Sequence, residues 1–301
     1  MRSQIVTLTA GSASLELCPA IGGAIAALSY DGIPLLRPIS KADLAAGNVR
    51  AMASYPLIPY SNRIKNGIFE FAGETHRLAL NFGDHPHSIH GNAWQSAWSI
   101  ERAEKFFAIL SLHYHPDTET KKVAWPFAYE ARQEFNLREN ALDIHLWLRN
   151  ADDRPMPAGL GIHPFFPKTQ VTHFFFDASE VWETDDTVMP IRKISVPHEW
   201  KFSKEHAVGD LKVDNVFTGW KGVARLTWPS HNLALTMTAD PILNRLVVFT
   251  TPSRDSIAIE PVSHDTDAFN QLSAGNEGTG AVILRPGETL EGRVLFTWEK
   301  T

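Results

Sequence analysis

Alternation with a period of two runs through most of this chain, and it limits the possible folds more than any other feature. Successive side chains of a strand point to opposite faces, so alternating apolar and polar residues mark a strand with one buried face. From Ala141 to Arg149, Leu142, Ile144, Leu146 and Leu148 share one face, while Asp143, His145 and Arg149 share the other. Phe127, Tyr129, Ala131, Gln133, Phe135 and Leu137 alternate just before, and Arg138-Glu139-Asn140 closes the two runs into a hairpin. A second hairpin is legible at Ile68 to Phe71, with Ala72-Gly73-Glu74 as its tip and Thr75 to Leu78 returning. Further strands are expected at Phe107 to Tyr114, Leu233 to Thr238, Leu246 to Thr250, Ile257 to Glu260, Ala281 to Leu284 and Arg293 to Trp298. The last two flank the turn Arg285-Pro286-Gly287-Glu288.

Helical stretches are scarce, and Gly, Pro, Asn and Asp turns separate many short strands. This pattern predicts an all-β antiparallel sandwich rather than βαβ units. No linker, repeat or shift in composition divides the chain, so residues 1–301 are read as a single domain. The long polar segments Asn81 to Trp94, Thr184 to Asp214 and Pro261 to Gly280 are read as loops, where a rigid β scaffold usually carries its binding chemistry.

Composition excludes some partners. Net charge is −6 and no dense Lys/Arg block occurs, which argues against nucleic acid. No apolar run approaches the roughly 20 residues of a membrane span, and the opening residues lack the apolar stretch of a signal peptide. Cys18 is the single cysteine, which rules out an intramolecular disulfide and fits a reducing compartment. A cytoplasmic protein, monomeric or homodimeric and without a membrane partner, is expected.

Five places offer chemistry. Asn62-Arg63 joins an amide to a fork of donors suited to vicinal hydroxyls, or to a surface ion pair. His85, His87 and His90 fall within six residues, but an extended backbone would point His90 away from the other two. No Cys, Asp or Glu completes a familiar ligand spacing there, so no metal is expected. His90 precedes Gly91, and Trp94 close behind is a candidate platform for a sugar ring. In Gly161-Ile162-His163-Pro164, glycine and proline should bend the chain and leave His163 at a strand end among apolar neighbours. It is either a satisfied core histidine or a proton shuttle with a lowered pKa. Glu260 ends an apolar strand, where a carboxylate must either pair or carry a raised pKa suited to proton transfer. Asp214 reads as a lone loop acid.

In this order, Asn62-Arg63, His90-Gly91, His163, Asp214 and Glu260, followed by Asp267-Ala268-Phe269-Asn270, the clusters resemble the aldose 1-epimerase (galactose mutarotase) family. The resemblance spans nearly the whole chain and implies a large distorted antiparallel β-sandwich with a monosaccharide in a cleft. It further implies Glu260 as general base, His163 as general acid and His90 assisting at the sugar oxygens. Asn62, Arg63, His90, Asp214 and Trp94 would bind the sugar, and no cofactor would be needed. The likeness departs at His90-Gly91-Asn92, where the family has His-Gly-Gly, and at Pro164-Phe165 after the second histidine. The changed residues Asn92, Pro164 and Phe165 are expected to border the site and alter the preferred sugar. With Glu260 taking a proton while His163 gives one, the pH profile of kcat/KM is expected to be bell-shaped, its acid limb governed mainly by Glu260 and its alkaline limb by His163. The rivals are a non-catalytic carbohydrate-binding protein and a hexose-6-phosphate epimerase. The latter would need a further cationic cluster, which is not obvious in the linear order.

Overall fold

A computed structural model describes residues 5–301. Two large antiparallel sheets form its layers. One has nine strands, in the spatial order Ser99–Ala103, Phe107–Tyr114, Tyr129–Arg138, Ala141–Asn150, Thr289–Lys300, Leu233–Ala239, Val223–Trp228, His173–Phe176 and His206–Ala207. The other runs Pro190–Ser195, Glu180–Thr184, Val213–Thr218, Arg245–Thr250, Ser256–Val262, Gly161–Ile162 and Pro56–Leu57, with Phe165–Pro167 also paired to Ser256–Val262. A smaller sheet of four strands is built from Val6–Ala10, Ala13–Cys18, Ala24–Tyr30 and Ile33–Pro34. Among the described residues no helix is long and apolar enough to cross a membrane.

The central hairpin follows the alternation closely. Arg138 pairs with Ala141 around a two-residue turn, and Tyr129, Ala131, Phe135 and Leu137 point into the core with Leu142, Ile144, Leu146 and Leu148. Each such apolar side chain contributes roughly 1.5–3 kcal/mol by leaving water. Gln133, the polar exception on that face, donates to the Gly23 carbonyl at 2.9 Å and so is satisfied. In the second hairpin Phe71 pairs with Glu74. Its tip, Ala72 at φ 52° and Gly73 at φ 82°, takes the two left-handed positions that match the twist of paired strands.

The eight-stranded sheet decides where chemistry sits, through the same period of two. Val213, Phe217, Leu246, Val248, Ile257 and Ile259 face the core shared with the nine-stranded sheet, meeting residues such as Ile144, Met237 and Phe296. Their neighbours alternate to the opposite face. Asp214 lies across from Phe249, and Glu260 across from Val247. The sheet therefore presents Asp214, Val247, Phe249 and Glu260 together on its outer side.

Two expectations about loops need correction. Thr184 to Asp214 is not one loop: it contains the strand Pro190–Ser195, a 3-10 turn at His198–Trp200 and the short strand His206–Ala207. Pro190–Ser195 is an edge strand with no buried side chain, so it carries no alternation to read. Asp214 accordingly belongs to the strand Val213–Thr218 rather than to a loop. The strand bearing Glu260 also continues past it, through Pro261 and Val262, with every residue of Ser256–Val262 buried. Pro261 still pairs opposite Leu246, despite lacking the amide that a ladder normally uses.

Candidate active site

A short two-stranded pairing brings the first two clusters together: Arg63 lies opposite Ile89, in the strands Arg63–Ile64 and Ser88–Ile89. Just outside it, Asn62 (φ 58°) and His90 (φ 65°) both occupy the left-handed region. Non-glycine residues there store of order 1–3 kcal/mol each, and such strain concentrates at functional sites. Gly91 must be glycine, because a Cβ would stand 2.2 Å from the Ile58 carbonyl oxygen. That close approach turns the loop and aims the His90 ring at the sheet.

His163 lies between Gly161–Ile162 and Phe165–Pro167, where the chain bends as its glycine and proline suggest. A Cβ on Gly161 would meet the Pro261 carbonyl at 2.7 Å, so glycine lets the two strands approach closely. The His163 N–H donates to the Tyr55 carbonyl at 3.0 Å, and its ring stacks on Phe165 with centroids 4.5 Å apart. Its Nε2 then stands 3.1 Å from Glu260 Oε1. The His90 ring meets that of His163 edge-on at 5.2 Å.

All three side chains are buried, Glu260 to 2% exposure. Burial, reinforced by Asp214, pushes the Glu260 carboxyl well above the usual range despite the opposing pull of Arg63. Burial holds the His163 imidazole down at about 3. It also carries His90 well below its ordinary value, with His163, Arg63 and His85 adding to the effect. The pair Glu260–His163 thus favours its uncharged form. Glu260 Oε2 and His163 Nδ1 are buried without a hydrogen-bond partner. Unsatisfied polar atoms in a dry site call for a ligand or a catalytic role.

Arg63 organises the polar wall. Its guanidinium bridges to Asp214 Oδ2 at 3.3 Å and donates to Asn62 Oδ1 at 3.0 Å. Burial raises the Asp214 carboxyl, while Arg63 acts against that shift. These groups line a cavity of about 150 Å³ together with His85, Phe82, Phe249 and Arg254. A cavity of that size accepts a single six-membered ring. A larger one, about 570 Å³, lies in the segment from His198 to Lys212 and contains none of these residues.

Trp94 is not in the wall. It is fully buried, donates from Nε1 to the Gly91 carbonyl at 3.0 Å and stacks on Tyr55 at 5.3 Å. Its loop folds inward, so its large apolar surface supports His90 from behind. The aromatic faces open to the cavity are Phe82 and Phe249, which no local pattern singles out. Asn92 and Phe165 also stand behind the wall: Asn92 accepts from the Tyr129 hydroxyl at 3.0 Å, and Phe165 backs His163. Any influence of these residues on sugar preference is therefore indirect. His87 is a clamp, accepting from the Asn66 N–H through Nδ1 and contacting Thr187 Oγ1 through Nε2, each at 3.0 Å.

The ligand atoms of His90, His163 and Glu260 lie within 4.8 Å of one another, a two-histidine, one-carboxylate set able in principle to hold a divalent metal. These are not the three neighbouring histidines of the loop. The trio arises only when three remote segments meet.

Similarity to known proteins points the same way. The model of the family described as aldose 1-epimerase matches residues 4–297. The uncharacterised protein YphB of Escherichia coli K12 is 27% identical over 298 residues, covering 95% of each chain. A solved Escherichia coli K12 structure superposes with a TM-score of 0.89 at 25% identity, covering 99% of both chains. The GalM/aldose epimerase homologue of C. elegans superposes at 0.84 with 19% identity, again over 99% of both chains.

Proposed function

Because the chain belongs to the aldose 1-epimerase family, we propose that it interconverts the α and β anomers of a free aldose by acid–base ring opening. The observation that carries this reading is the buried Glu260–His163 pair, 3.1 Å apart at the end of a cavity sized for one ring. Anomerisation takes one proton from the C1 hydroxyl and places one on the ring oxygen. Glu260 is the carboxylate available for the first transfer, since Asp214 is held by Arg63. His163 performs the second.

The pair holds one proton in its working state. Carboxylate with imidazolium, and carboxylic acid with imidazole, differ only by where that proton lies. A bound sugar suits the charged arrangement, with the C1 hydroxyl donating to Glu260 and the ring oxygen accepting from His163. Ring opening then leaves protonated Glu260 and neutral His163, the form that burial favours. Rotation about C1–C2 and closure on the other face reverse both transfers. No electrons move, so the chemistry requires no redox carrier. His90 accepts the Asn62 N–H at Nδ1, which leaves the proton of its neutral ring on Nε2 as a donor toward sugar oxygen. Arg63, Asn62 and Asp214 orient hydroxyl groups.

Polarimetry or exchange NMR on freshly dissolved α-D-glucose and α-D-galactose tests the proposal. Catalysed approach to anomeric equilibrium supports it. A protein that binds sugar without speeding that approach is a carbohydrate-binding protein instead.

A further inference from the structure

The cavity is flanked by two phenylalanines that each carry an arginine. Arg254 Cζ lies 4.5 Å from the centroid of Phe249, and Arg50 Cζ lies 3.9 Å from that of Phe82. Both rings line the cavity, and Arg254 lines it as well. The two arginines are exposed. Among the described residues neither has a carboxylate within 4.0 Å. Arg102, Arg132, Arg192, Arg225 and Arg293 do pair with one, while among the described residues Arg77, Arg138 and Arg285 do not; what sets Arg254 and Arg50 apart is their stacking on rings that line the cavity. A chain of net charge −6 thus places two exposed arginines, neither paired with a carboxylate, on the two aromatic rings that line its cavity.

Building on the mutarotase reading, we propose that the aldose carries an anionic group, a carboxylate or a phosphate, at the end of the molecule away from C1, and that Arg254 and Arg50 receive it. The inner end of the cavity is occupied by Glu260 and His163, which fixes C1 there. The opposite end of a single ring must then face away from that pair, toward the exposed Arg254 of the lining and the Phe82 ring that carries Arg50. A guanidinium presents a planar fork of donors matched to carboxylate and phosphate oxygens. Stacking on a ring holds that fork in place before the ligand arrives. Positive charge focused at an opening also draws anions toward it. A neutral hexose has no use for this arrangement. Arg50 and Arg254 come from opposite ends of the chain, so only folding reveals them as a pair.

The test is anomer exchange by NMR at low and high salt, comparing glucose and galactose with their hexuronates and their 6-phosphates. The expected result is a kcat/KM for one charged series at least about tenfold above its neutral parent, narrowing at high salt. Preference for the hexuronates identifies a carboxylate, and preference for the 6-phosphates a phosphoryl group. Arg254→Gln and Arg50→Gln should bring the charged-to-neutral ratio down toward one, a selectivity readout that a merely structural role would not move. Equal kcat/KM for charged and neutral sugars, or a ratio untouched by both substitutions, overturns the inference while leaving mutarotation standing. Failure to turn over any aldose rejects the mutarotase reading itself. Calorimetry with the hexuronates, 6-phosphates and parent hexoses then decides the arginines separately, and no preference for the charged sugars overturns their role.

Discussion

Asn62 and His90 hold each other by two hydrogen bonds: the Asn62 N–H donates to His90 Nδ1 at 3.0 Å, and the His90 N–H donates to the Asn62 carbonyl at 2.8 Å. This pairing settles the tautomer of a histidine that burial keeps neutral. Nitrogen-15 chemical shifts should therefore report His90 as the Nε2–H form well below pH 6.5. Removing this single donor in His90→Ala should lower kcat about 10²-fold. Wild-type turnover in that variant would remove His90 from the chemistry.

Glu260→Gln and His163→Asn each take one proton-transfer group from a 3.1 Å pair. Each should lower kcat by at least about 10²-fold. The double variant should be little worse than the poorer single one, because the two groups act as a unit. Sugar affinity, followed by calorimetry, should fall much less than turnover. If both single variants keep near wild-type kcat, the acid–base assignment is wrong.

The pH profile should reverse the order expected from the sequence, in which Glu260 governed the acid limb and His163 the alkaline one, because burial raises the first pKa and lowers the second. The active pair carries one proton, with the Glu260 pKa raised and that of His163 lowered to about 3. Loss of that proton on the alkaline side is therefore governed by Glu260, and gain of a second on the acid side by His163. With glucose as a substrate that does not ionise, kcat/KM should hold a plateau wider than the interval from about 4.3 to 6.5 between the ordinary carboxyl and imidazole values. The two apparent constants belong to the pair rather than to either residue. A bell confined to that ordinary interval would contradict the inversion.

Stability should respond to Glu260 in the opposite sense to activity. Its folded pKa lies above the unfolded value, so its favourable contribution is full below about 4.3 and disappears as pH rises through the folded pKa. Glu260→Gln cannot ionise. Its Tm should exceed that of the wild type increasingly toward alkaline pH, with the gap closing in acid. A gap that does not change with pH would show that the carboxyl pays no desolvation cost.

Chelation should leave mutarotation intact, since one proton acceptor and one donor suffice for the proposed chemistry. The trio His90, His163 and Glu260 makes this a genuine trial, because its ligand atoms stand within 4.8 Å of each other. Rates before and after EDTA, with metal analysis of the protein, provide the measurement. Activity lost on chelation and restored by zinc or manganese would replace the proposed mechanism with a metal-assisted one.

Local pattern alone determined the strands and hairpins whose one face is buried. Tyr129–Arg138 and Ala141–Asn150 were legible because burial on one side imposes a period of two on the residues themselves. The ordered motifs Asn62-Arg63, His90, His163, Asp214 and Glu260 pointed to one site, and their side chains line one cavity. Folding decided the rest. The edge strand Pro190–Ser195 has little buried surface to pattern it, and Asp214 entered a strand that its short polar context concealed. Whether Trp94 faced sugar or core depended on the direction of its loop, and the core took it. The burial that raises the Glu260 pKa and lowers that of His163, and the stacking of Arg50 and Arg254 on cavity-lining rings, also lay beyond the linear order. Alternation is a local property carried by neighbouring residues, whereas desolvation and charge convergence depend on segments that approach only when the two sheets pack.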